Sequence, residues 1–161
     1  MAEGQQYVNM LMDILAKQIE TLKTMLDVTR EQGKLAAADD FDSDAFDDTL
    51  TRKDVLIIRL NELDDGFTSV YNKARKEIKL YSEKYKQEIV KMQDMIRQCT
   101  DIGTEIRTLE NRNRDKLANC FSGKKKEYSA KHVAATVANK YSVTMKNVNI
   151  MGEGYRFNQD K

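Results

Sequence analysis

Six apolar residues, Leu56, Leu60, Leu63, Phe67, Val70 and Ala74, recur at steps of four, three, four, three and four along the run Thr49 to Tyr71 and just past its end. Alternating steps of this size place them along one side of an α-helix. No proline occurs in the 161 residues, so nothing forces such a helix to stop. Ile57 and Tyr71 widen the stripe, and Arg52, Lys53, Asp54, Arg59, Asn61, Glu62 and Asp65 are expected on the opposite face. The run is therefore amphipathic, and its apolar side requires a partner.

The flanks supply candidates. Upstream, Met12, Leu15, Ile19, Leu22 and Leu26 step by three, four, three and four, with Val8 and Leu11 extending the stripe, which predicts a helix over about 4–38. Downstream, Tyr85, Ile89, Met92, Ile96, Cys99, Ile102, Ile106, Leu109 and Leu117 predict another over about 83–120. Gly103 and Asn113 interrupt that stripe, and Glu110, Arg112, Arg114 and Asp115 read as a solvated charged face, so its last third is expected to be the looser part. The middle helix is read as 44–80. Asp64-Asp65-Gly66 resembles a turn by composition, but the spacing passes through it in phase, and a break at Tyr81-Ser82-Glu83, with Ser82 as cap, leaves three helices of nearly equal length. The expected fold is all-α: an elongated antiparallel three-helix bundle or coiled coil over 1–121, with the middle helix as central strut. Leu56, Leu60, Leu63, Phe67, Tyr71, Tyr85, Ile89 and Ile96 are its expected core.

Charge is nearly balanced, Lys and Arg numbering 27 against 26 acids, so no global field draws the chain to nucleic acid or to a membrane. Locally, six Asp (39, 40, 42, 44, 47 and 48) crowd the first bend. Asp40, Asp42 and Asp44 match the opening ligands of a calcium loop, but Ala45 stands where its glycine belongs and Thr51 where its closing Glu belongs. A bend followed by a helix cap, with Asp42 or Ser43 accepting from free N–H groups, is the reading adopted. Cys99 and Cys120 are read as small buried thiols. No cofactor or metal is expected. Nor is catalysis, since His132 is the one histidine and no nucleophile, base and orienting group converge on a firm element. The start, MAEGQQYVNMLMDIL, lacks a basic leader and its apolar residues are interrupted, so a cytoplasmic location and no membrane insertion are expected.

From Ser122 onward the character changes: eight Lys or Arg stand against three acids, beginning with Lys124-Lys125-Lys126. Residues 122–161 are expected to form a basic, partly disordered tail. Within it Tyr128, Val133, Val137, Tyr141, Met145 and Val148 form a weak amphipathic helix, rich in mediocre helix formers.

The run K-x-x-L-I-x-x-L-x-x-L-D-x-G-F-x-x-V-Y at Lys53 to Tyr71, the run Y-x-x-E-I-x-x-x-Q-x-x-I at Tyr85 to Ile96 and the segment I-x-x-L-E-x-R-N at Ile106 to Asn113 resemble flagellar type III export chaperones of the FlgN/FliT type. The resemblance covers residues 5 to about 120. It implies a cytoplasmic chaperone that holds a late flagellar secretion substrate, a hook-filament junction protein or the filament cap, and delivers it to the export gate. It also implies that the C-terminal part binds cargo and gate, although no family motif is present in 122–161. By stripe alone, Tyr128, Val133, Val137, Tyr141, Met145 and Val148 are the candidate cargo-binding residues, ordering on an amphipathic partner helix or folding back on the bundle as a fourth helix. The rival class is a coiled-coil scaffold or homo-oligomer. Against it stand the paired four-residue steps from Val70 through Ala74, Ile78, Tyr81, Tyr85 and Ile89, which relax a supercoil.

Overall fold

The computed structural model describes residues 2–122. Three α-helices run Ala2–Ala37 (α1), Ser43–Leu80 (α2) and Lys86–Cys120 (α3). Each is 35 to 38 residues long, about 55 Å at 1.5 Å per residue. They pack up, down and up as an all-α three-helix bundle. The reversal between α1 and α2 is set by Asp42, which keeps an extended backbone and accepts from the N–H of Ala45 at 3.0 Å, satisfying one of the free donors of the first turn.

The reversal between α2 and α3 falls at residues 81–85, closed by Lys84 N–H to Tyr81 O at 3.0 Å and Tyr85 N–H to Tyr81 O at 3.2 Å. Ser82 is not the cap of α3: the capping residue is Tyr85, and it makes no side-chain cap bond. Because the chain breaks there, the steps from Val70 to Ile89 span two helices and carry no information about supercoiling. Within single helices the pattern is stricter. The line Val8, Leu11, Leu15, Gln18, Leu22, Met25, Thr29, Gln32 and Ala36 of α1 is buried throughout, at alternating steps of three and four. So is the line Ile89, Met92, Ile96, Cys99, Gly103, Ile106, Glu110, Asn113 and Leu117 of α3. That is the repeat of knobs-into-holes packing.

The central element is α1, not α2. It packs closely on both others, whereas no Cα of α2 comes within 8 Å of a Cα of α3. α2 and α3 therefore meet through side chains alone. Of the expected core, Leu60, Phe67, Tyr85, Ile89 and Ile96 are buried, while Leu56, Leu63 and Tyr71 are half-buried at its margin. The inward line of α2 is instead Phe46, Thr49, Lys53, Ile57, Leu60, Asp64 and Phe67. α2 passes through Asp64-Asp65-Gly66 and α3 through Gly103 without a break. Cys99 is buried, but Cys120 is only half-buried.

Candidate functional site

The core consists of three apolar clusters divided by two polar layers. At one end Val8, Leu11 and Leu15 meet Phe67, Val70, Ala74 and Ile78 of α2 and Ile89, Met92 and Ile96 of α3. In the middle Leu22, Met25 and Leu26 meet Ile57, Leu60, Cys99 and Ile106. At the far end Ala36, Phe46, Leu117 and Phe121 close the bundle, with the Phe41 ring 4.8 Å edge-on to Phe121.

Between the first two clusters lie Gln18 and Asp64. Gln18 Nε2 donates to Asp64 Oδ1 at 2.7 Å, joining α1 to α2 in the core. Burial pushes the Asp64 carboxyl up to about 7 from 3.8, Gln18 opposing this and Asp65 adding to it. The Cys99 thiol of α3 is pushed up to about 12, by burial first and by the charge of Asp64 second. A thiol held so far above neutrality is a packing group and a poor nucleophile.

Between the second and third clusters lies a larger network. Lys53 Nζ of α2 contacts Glu110 Oε1 of α3, with both side chains removed from solvent. The same ammonium donates to Gln32 Oε1 of α1 at 2.6 Å, and Gln32 Nε2 donates to Thr49 Oγ1 at 3.0 Å. Thr49 Oγ1 in turn donates to Phe46 O at 2.5 Å. On the α1–α3 side, Asn113 Nδ2 donates to Thr29 O at 2.9 Å. Gly33 makes room for this: a Cβ there would stand 2.8 Å from Asn113 Oδ1. Lys53 is thus the hub of all three helices. Burial pushes its ammonium down to about 7 from 10.5.

These placements correct the sequence reading twice. Lys53, expected on the outer face, is wholly buried, and Glu110, expected on a solvated face, is buried opposite it. A polar residue at an inward position looks like an outward one when only apolar residues are counted. The signal that finds them is phase: the α1 line keeps its three-four steps only if Gln18, Thr29 and Gln32 are included.

The charged groups outside the core tie the helices at the surface: Arg52 to Glu31 at 2.8 Å, which raises the Arg52 pKa through that hydrogen bond first, and Arg30 to Glu105 at 3.0 Å. Among the described residues, no group of three or more His, Cys, Asp or Glu is placed to hold a metal ion. No helix among them is long and apolar enough to cross a membrane. The large apolar side chains left in solvent among the described residues include Val55 and Ile58, three residues apart on α2, exposed by 62% and 59%. The candidate cargo-binding residues Tyr128, Val133, Val137, Tyr141, Met145 and Val148 lie outside the described residues, as does the whole tail reading for 123–161. Compared with known protein families, with characterised proteins and with solved structures, the chain matches none.

Proposed function

We propose that this protein is a cytoplasmic chaperone for a late flagellar secretion substrate, a hook-filament junction protein or the filament cap, and that it delivers this cargo to the export gate. The reading rests on the resemblance of Lys53 to Tyr71, Tyr85 to Ile96 and Ile106 to Asn113 to export chaperones of the FlgN/FliT type. The observation that carries it furthest is the setting of those three runs. All lie in the long helices of one bundle, Tyr85 being the cap of α3, and inside it Gln18, Gln32, Lys53 and Asn113 make bonds from helix to helix. A framework of this kind holds a binding segment rather than a reaction centre. In this proposal residues 122–161, basic and with a stripe from Tyr128 to Val148, supply the segment that orders on an amphipathic cargo helix.

Removing residues 122–161 tests it. The truncated chain keeps its folded bundle and loses calorimetric binding to hook-filament junction and filament-cap proteins alike. Full-length protein that binds neither class sinks the chaperone reading, and unchanged affinity after truncation sinks the assignment of the tail. A homo-oligomeric scaffold is the competing reading, favoured by the exposed pair Val55 and Ile58 on the outer side of α2. A monomer mass in light scattering excludes it.

A further inference from the structure

The Gln18–Asp64 contact holds more than the bond it shows. Gln18 Oε1 and Asp64 Oδ2, the second oxygens of the two groups, are both buried and without a hydrogen-bond partner. Both side chains are enclosed in the core, Gln18 wholly and Asp64 to within 5% exposure. Two buried acceptors on a matched carboxyl and carboxamide are costly as they stand, and neither has a donor to offer the other. A single proton on Asp64 Oδ2 resolves both at once, because the neutral acid then donates to Gln18 Oε1 while Gln18 Nε2 donates to Oδ1.

We infer that Asp64 is a carboxylic acid in the folded chain, joined to Gln18 by two reciprocal hydrogen bonds, and that this pair is a pH-sensitive latch between α1 and α2 that weakens as rising pH favours the carboxylate. The inference stands apart from the chaperone reading.

The surroundings fit a neutral acid. From α1 the facing group is the uncharged Gln18, and Lys17 beside it is at the surface, paired with Asp13 at 3.0 Å. From α3 the facing group is the buried Cys99 thiol, which stays protonated at neutral pH. The nearest cation along that helix, Arg97, is exposed and lies 3.9 Å from Asp94. On α2 itself the neighbour is Asp65, exposed and repulsive. Among the described residues no cation stabilises the carboxylate, and three features of the site favour the acid: low polarity, a like charge, and an acceptor for the proton.

Linkage fixes the direction. The folded-state value is raised above the unfolded one, so the latch holds fully below the ordinary 3.8, weakens as pH climbs and reaches its floor at about 7, where the folded chain itself ionises. Between those limits the local opening equilibrium rises by about tenfold per pH unit, the signature of one proton released on opening.

The experiment uses the full chain, with Asp64 Cγ followed by carbon NMR from pH 3 to pH 9 and amide exchange followed across residues 60–68. The expected midpoint for Asp64 is about 7, roughly three pH units above an ordinary Asp. Intrinsic exchange rises about tenfold per pH unit, so amides released by this opening accelerate about a hundredfold per unit below the midpoint and tenfold above it. In Asp64→Asn, which keeps the shape and cannot titrate, the extra tenfold disappears. A midpoint within one unit of 3.8, or an Asp64→Asn profile that bends like the native one, overturns the inference. If Asp64→Asn fails to fold, the native carbon titration decides alone.

Discussion

Lys53 is the side chain whose removal tests the interior most directly. Replacing it with Met keeps much of the buried stem and deletes the ammonium. Glu110 is then left as a buried charge without its partner, Gln32 Oε1 loses the donor at 2.6 Å, and the link joining the three helices at that level is cut. Removing one partner of a buried pair costs about 3–5 kcal/mol, because the remaining charge has already given up its water. For a helical region of this size that is a fall in melting temperature of roughly 12–20 °C, at about 4 °C per kcal/mol. It consumes a large part of the roughly 5–15 kcal/mol that an ordinary domain has.

The double variant Lys53→Met with Glu110→Leu removes both charges and fills the layer with apolar atoms. It is expected to recover the part of that loss due to the unpaired charge, since exchanging a buried ion pair for packed hydrophobes is neutral or stabilising, and to retain only the cost of Gln32 Oε1 without its donor, about 1–3 kcal/mol. Urea unfolding of the four members of the cycle, followed by helical circular dichroism at fixed pH, gives the coupling energy. Arg52→Ala is the internal control one residue away: its partners Glu31 and Asp48 are at the surface, so its midpoint stays near the native one. If Lys53→Met unfolds at the native urea concentration, or the double variant is no better than the worse single one, the assignment of Lys53 and Glu110 as a mutually dependent buried pair is wrong.

The Asp64 contribution to global stability falls by of order 4 kcal/mol from pH 3.8 to about 7, at about 1.36 kcal/mol for each pH unit crossed, and that slope is absent from urea midpoints of Asp64→Asn. Lys53 runs the opposite way: its folded value is lowered, so its contribution is present above 10.5 and lost as pH falls through about 7, which makes neutrality the least favourable pH for the two groups together. Gly66→Ala is expected to raise stability by about 0.5–1 kcal/mol, because the site is helical and a Cβ meets only Ile14 Cδ1, at an ordinary 3.8 Å. Gly33→Ala, the same exchange in α1, is expected to lower stability by about 1 kcal/mol or more, since its Cβ displaces Asn113 from Thr29 O; calorimetric melting of the two variants side by side checks the contrast. Asp42→Ala removes the cap on Ala45 N–H and costs about 1 kcal/mol by urea midpoint.

How much of this was legible beforehand depended on the kind of residue. The three helices and the first reversal follow from apolar periodicity, the absence of proline, and Asp42 before a helix start; the second reversal followed only from the equal length of the helices, since its expected cap, Ser82, is not the one used. Local chemistry determines those features, and local chemistry is what a sequence displays. The polar layers were hidden because an inward Lys53 or Glu110 becomes favourable only through a partner far away along the chain, and neither end of that pair carries a local mark. Their presence also moved the apolar reading of α2 sideways, onto Leu56 and Leu63 in place of Lys53, Ile57 and Asp64. The central role of α1 was missed for a related reason. A stripe announces that a helix is covered on one side, whereas two neighbours demand a wider buried arc, here including Thr21, Leu26 and Val28 beside the main line.

The layers also decide something that the apolar clusters cannot. Along helices with a strict seven-residue repeat, sliding one past another by one repeat returns apolar residues to apolar neighbours, so packing alone distinguishes the registers weakly. Sliding α2 by one repeat along α1 carries Lys53 from Gln32 toward Met25, into the middle apolar cluster, and leaves Glu110 without its counter-charge. It also separates Asp64 from Gln18. Every such shift buries at least one charge without its partner, at a cost of several kcal/mol against the observed register. The expected consequence is a division of labour between clusters and layers. A chain with Lys53, Glu110, Gln32, Thr49, Gln18 and Asp64 all replaced by apolar residues keeps or gains thermal stability but loses the single set of sharp amide resonances that a unique register produces, whereas the native chain is expected to show one set. One sharp set from that apolar variant, matching the native contacts, removes the layers from any part in choosing the register.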